Sequence, residues 1–180
     1  MTDSAPYFLT TPRLGFRCWT PADISLAEAL WTDPAVMRFL GGPYSLAQAW
    51  ERLEAEIERQ ATSSFQSWPL FDRATGAHVG CCGLKPLRRE ERIPEFGFHL
   101  RPEWWGRGLA EEAGRAVIAH AFFGPLEVPA IFTGHHPEHG TSRRVLEKLG
   151  FQYVEDVYYP PTGLMHRTSL LHRPEGPTLR

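Results

Sequence analysis

The densest concentration of chemically suggestive residues is Trp104-Trp105-Gly106-Arg107-Gly108-Leu109-Ala110, directly before a helical run. Two glycines one residue apart let the backbone turn so that successive N–H groups point into one concavity. The unpaired first amides of the following helix add to it, and the helix dipole favours negative charge there. Such a turn can cradle a pyrophosphate through its main chain. By spacing alone, it equally fits glycines that permit a tight strand-to-helix connection. Two other phosphate loops are excluded. No G-x-x-x-x-G-K-[ST] string is present, and a dinucleotide fingerprint would need a third glycine where this chain has Glu111.

Other residues invite a functional reading. His135, His136 and His139 cluster as metal ligands can, but Pro137 and Gly140 place them on a turn without a nearby cysteine, so a solvated loop is expected and no metal. Cys81 and Cys82, adjacent on a strand, point to opposite faces and read as small apolar core residues, not a redox pair. Tyr153, Tyr158 and Tyr159 on the last strands are read as core.

The elements that must position these residues alternate along the chain. Leu14 to Trp19 reads as a strand, and Thr20-Pro21-Ala22-Asp23 starts a helix, with Thr20 capping and Asp23 at the positive end. Ser45-Leu46-Ala47-Gln48 is a capping box. Leu46, Ala49, Trp50, Leu53 and Ile57 then form a buried stripe, with Glu51, Arg52, Glu54, Glu56 and Glu58 as a solvated face. Ser67 to Asp72, His78 to Leu84 and Ile93 to Leu100 read as an antiparallel meander, with Arg88 to Arg92 as a solvated hairpin tip. A helix from about Gly108 to Phe122 follows, then a strand at Ala130 to Thr133 and a helix at Thr141 to Leu149, ended by Gly150 in a left-handed cap. Strands at Phe151 to Tyr159 and Leu164 to Leu171 complete the order. The fold class is α/β (α+β): a mixed, mostly antiparallel sheet of about seven strands flanked by helices.

Composition narrows the function classes. The 180 residues suit one domain, with a core over about residues 9 to 171 and a frayed tail at 173 to 180. Lys and Arg number 19 against 21 Asp and Glu, which offers no field to hold nucleic acid or an anionic membrane. Met1 to Pro6 lacks signal-peptide character, and three cysteines form no disulfide framework, so a cytoplasmic protein is expected.

The stretch from Glu95 to Ala110, continuing through Glu111-Glu112-Ala113, closely resembles the central motif of the GNAT-fold N-acetyltransferases. Ser142 to Phe151 resembles that superfamily's next segment. Leu9-Thr-Thr-Pro-Arg-Leu14 and Asp33-Pro34 are similar to its ribosomal-protein N-terminal acetyltransferase branch. The resemblance spans about Leu9 to Leu171 and implies acetyl-CoA as co-substrate, without a metal, and direct attack of an amine on the thioester. The acceptor implied is a protein N-terminus or a small-molecule amine, and a homodimer is common among relatives. Cofactor contacts then fall to Trp105, Gly106, Arg107, Gly108, Leu109 and Ala110, with oxyanion-binding amides around Phe98, His99 and Leu100. His99 is either substrate-facing, a helper base or merely exposed.

Catalytic roles fall to Glu95 as base, or else as a carboxylate paired with Arg92 or Arg101, and to Ser142 near the sulfur, or else as an ordinary first-turn serine. Trp105 stands where the family loop opens with Gln or Arg. His139 replaces the usual Asn that holds the pantetheine arm, and Leu146 replaces a proton-donating Tyr. These departures keep open a non-catalytic acyl-CoA-binding or regulatory module of the same fold.

Overall fold

The computed structural model describes residues 7–88 and 91–175. The expectations for Met1 to Pro6, for the tip at 89–90 and for the tail at 176–180 lie outside them. Eight strands form one sheet. They are β1 (Leu9–Thr10), β2 (Leu14–Phe16), β3 (Ser67–Asp72), β4 (His78–Arg88), β5 (Ile93–Leu100), β6 (Ala130–His135), β7 (Gln152–Tyr159) and β8 (Leu164–His172). The spatial order is β1-β2-β3-β4-β5-β6-β8-β7. Every pairing is antiparallel except β5 with β6. That exception follows from the helix between them, since a helical crossover returns the chain in the same direction. The sheet has one strand beyond the seven expected, because β1 is a two-residue hairpin arm too short to show periodicity.

Helices α1 (Ile24–Trp31), α2 (Pro34–Met37) and α3 (Leu46–Ser63) cover one face. Helices α4 (Leu109–Phe123) and α5 (Gly140–Leu149) cover the other. Side-chain alternation along β4 and β5 separates the two cores. Cys82, Leu84 and Phe96 pack with Leu109, Ala113, Val117, Leu146 and Leu149. Cys81 packs with Trp19, Trp31 and Leu53 on the opposite side. The adjacent cysteines therefore belong to different cores, and burial raises both thiol pKa values, that of Cys81 to about 12.

Several local expectations hold and several change. Ser45 and Gln48 form the reciprocal box, with Gln48 N–H donating to Ser45 Oγ at 3.2 Å and Ser45 N–H to Gln48 Oε1 at 2.9 Å. Thr20 and Asp23 form a second capping box. Asp23 accepts from the Thr20 N–H and hydroxyl, at 2.8 and 2.9 Å, and from Arg17, so a 3₁₀ turn at Pro21–Asp23 precedes α1. On α3, Leu46 is 63% exposed and Trp50 41%, while Glu56 is 0% exposed. The helix sits rotated about its axis from its apolar stripe, because Glu56 reaches inward to accept Ser67 N–H at 2.8 Å. Gly150 (φ +92°) ends α5 with its N–H on Glu147 O, and Phe151 N–H returns to Leu146 O at 3.1 Å. At the far end, Arg173 N–H donates to Pro129 O at 2.9 Å, and its guanidinium lies over Phe123.

Candidate functional site

One cleft of about 890 Å³ takes residues from both faces of β5. Glu95 and His99 line it from the α1–α3 side, Phe98 and Leu100 from the α4–α5 side. It can pass through the sheet because β5 and β6 separate. Their parallel register holds a single pair, Glu95 with Phe132. Beyond it the Thr133 hydroxyl bridges, donating to Phe96 O at 3.0 Å. Arg101 N–H bonds to Val79 O on β4, whereas the Phe96 and Leu100 carbonyls face the other way, to Thr133 and to the Trp105 indole. N–H and C=O of one strand residue point to the same side, and sides alternate. The Phe98 main-chain groups therefore open into the gap.

At the α4 end, the 3₁₀ turn Pro102–Trp104 leads into the glycine bend. Trp105 donates its indole N–H to Leu100 O at 2.7 Å, which ties the bend to the end of β5. Gly106 and Gly108 both adopt φ +73°, a left-handed conformation that costs an L side chain roughly 1–2 kcal/mol. Space beside them is open: nothing lies within 4 Å of a Cβ built at Gly106, and only Arg13 at 3.8 Å for Gly108. Gly108 is the N-cap of α4, so the first-turn amides face the same concavity.

Two glutamates in that first turn would oppose an anion, and both are neutralised. Arg13 donates to Glu112 from Nε at 2.6 Å and from its main-chain N–H at 3.0 Å, and Thr11 donates its hydroxyl at 2.5 Å. Burial raises the Glu112 pKa, but the bonds from Thr11 and Arg13 outweigh it and leave the carboxyl below its ordinary range. Glu111 is held low by hydrogen bonds from Arg115 and Lys148. Arg13 also donates to Arg107 O at 2.9 Å, so the β1–β2 hairpin buttresses the bend from outside. The Arg107 side chain turns onto Trp104, 4.9 Å from the ring centroid, and does not line the cleft.

Gly106, Gly108, Leu109 and Ala110 line the cleft, as do Trp105, Ser142 and His139. Ser142, in the first turn of α5, is buried, and its hydroxyl makes no hydrogen bond to a described residue. His139 caps α5 by position and stacks on Phe39, with ring centroids 4.4 Å apart. Burial first, then the neighbouring His135 and His136, lower its pKa to about 4, so the ring is neutral at pH 7. The histidine cluster is not a solvated loop. His135 closes β6 and is buried, and so is His136, whose Nδ1 accepts Glu138 N–H at 3.1 Å. Among the described residues, no group of three or more His, Cys, Asp or Glu side chains is placed to hold a metal.

On the α1–α3 side, Glu95 pairs with Lys85 directly opposite on β4, at 3.1 Å. The expected partners are engaged elsewhere, Arg92 with Leu126 O and Arg101 with Glu103. His99 accepts the Trp31 indole N–H on Nδ1 at 3.2 Å. Burial, and then Arg52, push its pKa down to about 3. A neutral imidazole accepting at Nδ1 carries its proton on Nε2, which leaves His99 no free lone pair with which to serve as a helper base.

Sequence reasoning missed much of this wall. Trp31, Phe39, Tyr44 and Arg52 come from helices and loops far along the chain, and Tyr159, read as core, is half-buried at the cleft. Tyr153 and Tyr158 are exposed instead. Leu146 is buried in the core and offers no donor.

A family model described as an acetyltransferase (GNAT) domain matches residues 13–152. The chain is 30% identical over 155 residues to the uncharacterized protein YkkB of Bacillus subtilis, covering 83% of this chain and 87% of that one. It is 26% identical to the uncharacterized N-acetyltransferase p20 of Bacillus licheniformis, covering 80% and 82%. Among solved structures it superposes on a GNAT-family acetyltransferase from Bacillus anthracis with TM-score 0.79, 18% identity, and 92% and 98% coverage. The spermidine N-acetyltransferase of Vibrio cholerae, solved with CoA and spermine, gives 0.76 at 17% identity, covering 91% and 97%. RimL, a ribosomal L7/L12 α-N-protein acetyltransferase solved with CoA, gives 0.78 at 11%, covering 93% and 98%.

Proposed function

The chain belongs to the GNAT acetyltransferase family, and from that premise we propose that its cleft joins acetyl-CoA to a primary amine across the parting of β5 and β6. The acceptor is a small-molecule amine or a protein N-terminus, as in the ribosomal-protein branch that the opening motif resembles. The observation that carries this reading is the through-going gap itself, which opens on a glycine cradle on one face and on Glu95 on the other.

The residues present fit the co-substrate. The main-chain amides of Gly106 to Ala110 hold the pyrophosphate, the open space beside Gly106 leaves room for it, and His139 and Ser142 flank the arm. When bound, acetyl-CoA supplies an activated acyl carbon as its thioester. The Phe98 N–H, fixed in the gap, donates to the acyl oxygen where negative charge develops. An α-amino group titrates near ~8 and a lysine near ~10.4, so the acceptor arrives largely protonated. Glu95 takes that proton, directly or through a water. Nitrogen then bonds to the acyl carbon as the C–S bond breaks, with the electron pair leaving on sulfur; the second proton, released from nitrogen as the amide forms, passes to that thiolate through water. The Ser142 hydroxyl hydrogen-bonds the departing sulfur or orients water beside it. Holding both reactants in one gap supplies a further share of the rate.

The test is release of CoA thiol over a panel of primary amines, with direct titration of acetyl-CoA alongside. Turnover on at least one amine, lost on Glu95→Gln, is expected. Acetyl-CoA binding without turnover on any amine would instead identify a binding module.

A further inference from the structure

The acceptor side of the cleft carries more positive than negative side chains, and this bears on the amine it takes. Glu56, fully buried on α3, faces two guanidiniums, Arg52 at 2.8 Å and Arg59 at 2.6 Å. One carboxylate against two cations leaves one unit of positive charge in the wall. Arg52 is the member that lines the cleft. Its Nε donates to Glu56, its guanidinium lies over the Trp31 ring 5.2 Å from the centroid, and its terminal nitrogens donate to no described residue. Arg38 and Lys85 add further charge to the lining. Lys85 is balanced by Glu95, and Glu138 is exposed on the turn before α5. A polycation entering here would meet one available carboxylate and an excess of like charge.

Resting on the acetyl-transfer reading, we propose that the acceptor is an amine that also bears a carboxylate: the amine lies at Glu95 in the gap, and the carboxylate sits on the terminal nitrogens of Arg52 with the Tyr44 and Tyr159 hydroxyls as further donors. The two ends are linked through one side chain. The indole under the Arg52 guanidinium donates its N–H to His99 on β5, the strand that carries Glu95, so the clamp is tied to the strand at which the amine lies. Tyr159 lies within electrostatic reach of Tyr44, Glu95 and Arg52, which closes the four groups around one space. A guanidinium presents two coplanar N–H donors that match a carboxylate, and stacking on an indole fixes their plane. The planar fork matches the two coplanar oxygens of a carboxylate better than a tetrahedral phosphate. Glu56 is therefore a positioning residue, and its burial orients the clamp.

The experiment compares matched acceptors on the intact protein: an amino acid or dipeptide, its carboxamide, an aminoalkylphosphonate of the same length, and spermidine. Charge-assisted hydrogen bonds predict kcat/KM for the carboxylate form at least about tenfold above the carboxamide, with spermidine lowest. Arg52→Gln should bring the carboxylate-to-carboxamide ratio close to one, mainly through KM. Arg52→Lys, which keeps the charge and loses the fork, should restore only part of it. Because Arg52→Gln leaves Glu56 short of a partner, Arg52→Gln/Glu56→Gln provides a second background for the same ratio, and the wild-type comparison stands whatever the variants do. Equal rates for carboxylate and carboxamide, a preference for spermidine, or a preference for the phosphonate each overturn this inference while leaving acetyl transfer intact. Acetyl-CoA binding with no acceptor consumed is the separate result that brings down the acetyl-transfer reading and this inference with it.

Discussion

The two halves of the cleft are built from different materials. The cradle half is main chain: two left-handed glycines and the first amides of α4, shaped by residues within about one helical turn of each other. The acceptor half is side chain, brought together from α1, the segment after α2, α3, β4, β5 and β7 by packing across one face of the sheet. A main-chain site tolerates changes in side chains and fails when backbone conformation changes. A side-chain site does the reverse, and it depends on the buried pairs that hold its members in place. Substitutions in the two halves should therefore raise different Michaelis constants, one for the acyl donor and one for the amine.

The largest effect should come from the buried pair behind the acceptor wall. Glu56→Ala strands Arg52 and Arg59, and breaking a buried ion pair costs roughly 3–5 kcal/mol. Thermal or urea melts should show it, and a loss below about 1 kcal/mol would show that the wall is not held this way. Next, Glu95→Gln removes the proposed base. General-base catalysis contributes about 10²–10⁴-fold, so kcat should fall by at least about 10² while acetyl-CoA affinity, read by titration, stays within a factor of two to three. Gly108→Val places a β-branched residue at φ +73°, which costs roughly 1–3 kcal/mol in backbone strain. It should raise the donor KM by about tenfold or more and leave the amine KM nearly unchanged, so equal effects on both would erase the distinction between the halves.

Acid should act through the histidines. His99, His78 and His139 are neutral in the fold, with pKa values lowered to about 3, 4 and 4 by burial first. The ordinary value is near 6.5, so below it the unfolded chain binds more protons than the folded one. Their contribution is full above pH ~6.5 and is lost as pH falls towards about 3–4. Melting temperature should drop progressively across that window, and His99→Gln should flatten the drop. The smallest effect belongs to the exposed positions of α3, where Leu46→Gln should change stability by no more than about 0.5 kcal/mol.

The glycine bend was legible because its determinants are local. Glycine at 106 and 108 followed by a helix start leaves the backbone few alternatives, and the strands around it alternate cleanly. The meander from Ser67 to Leu100 was legible for the same reason, and so was the left-handed cap at Gly150. What escaped was long-range. Arg52 and Glu56 look like any charged face of an amphipathic helix, and only the docking of α3 on the sheet turns them inward. Trp50 and Leu46, apolar in sequence, turn out to sunlit positions on the surface by that same rotation. Tyr159 reads as another strand aromatic until the parting of β5 and β6 gives it a cleft to face. His99 could be placed on β5, but its tautomer depends on an indole 68 residues away in sequence.

By itself, then, the sequence determined most of the strand and helix order and the glycine bend before α4, because hydrogen-bonded turns and alternation depend on neighbours along the chain. Only the tertiary structure decided which charges are buried, which ring holds which proton and where the acceptor wall lies, because burial and charge pairing depend on distances across the fold that spacing along the chain does not encode.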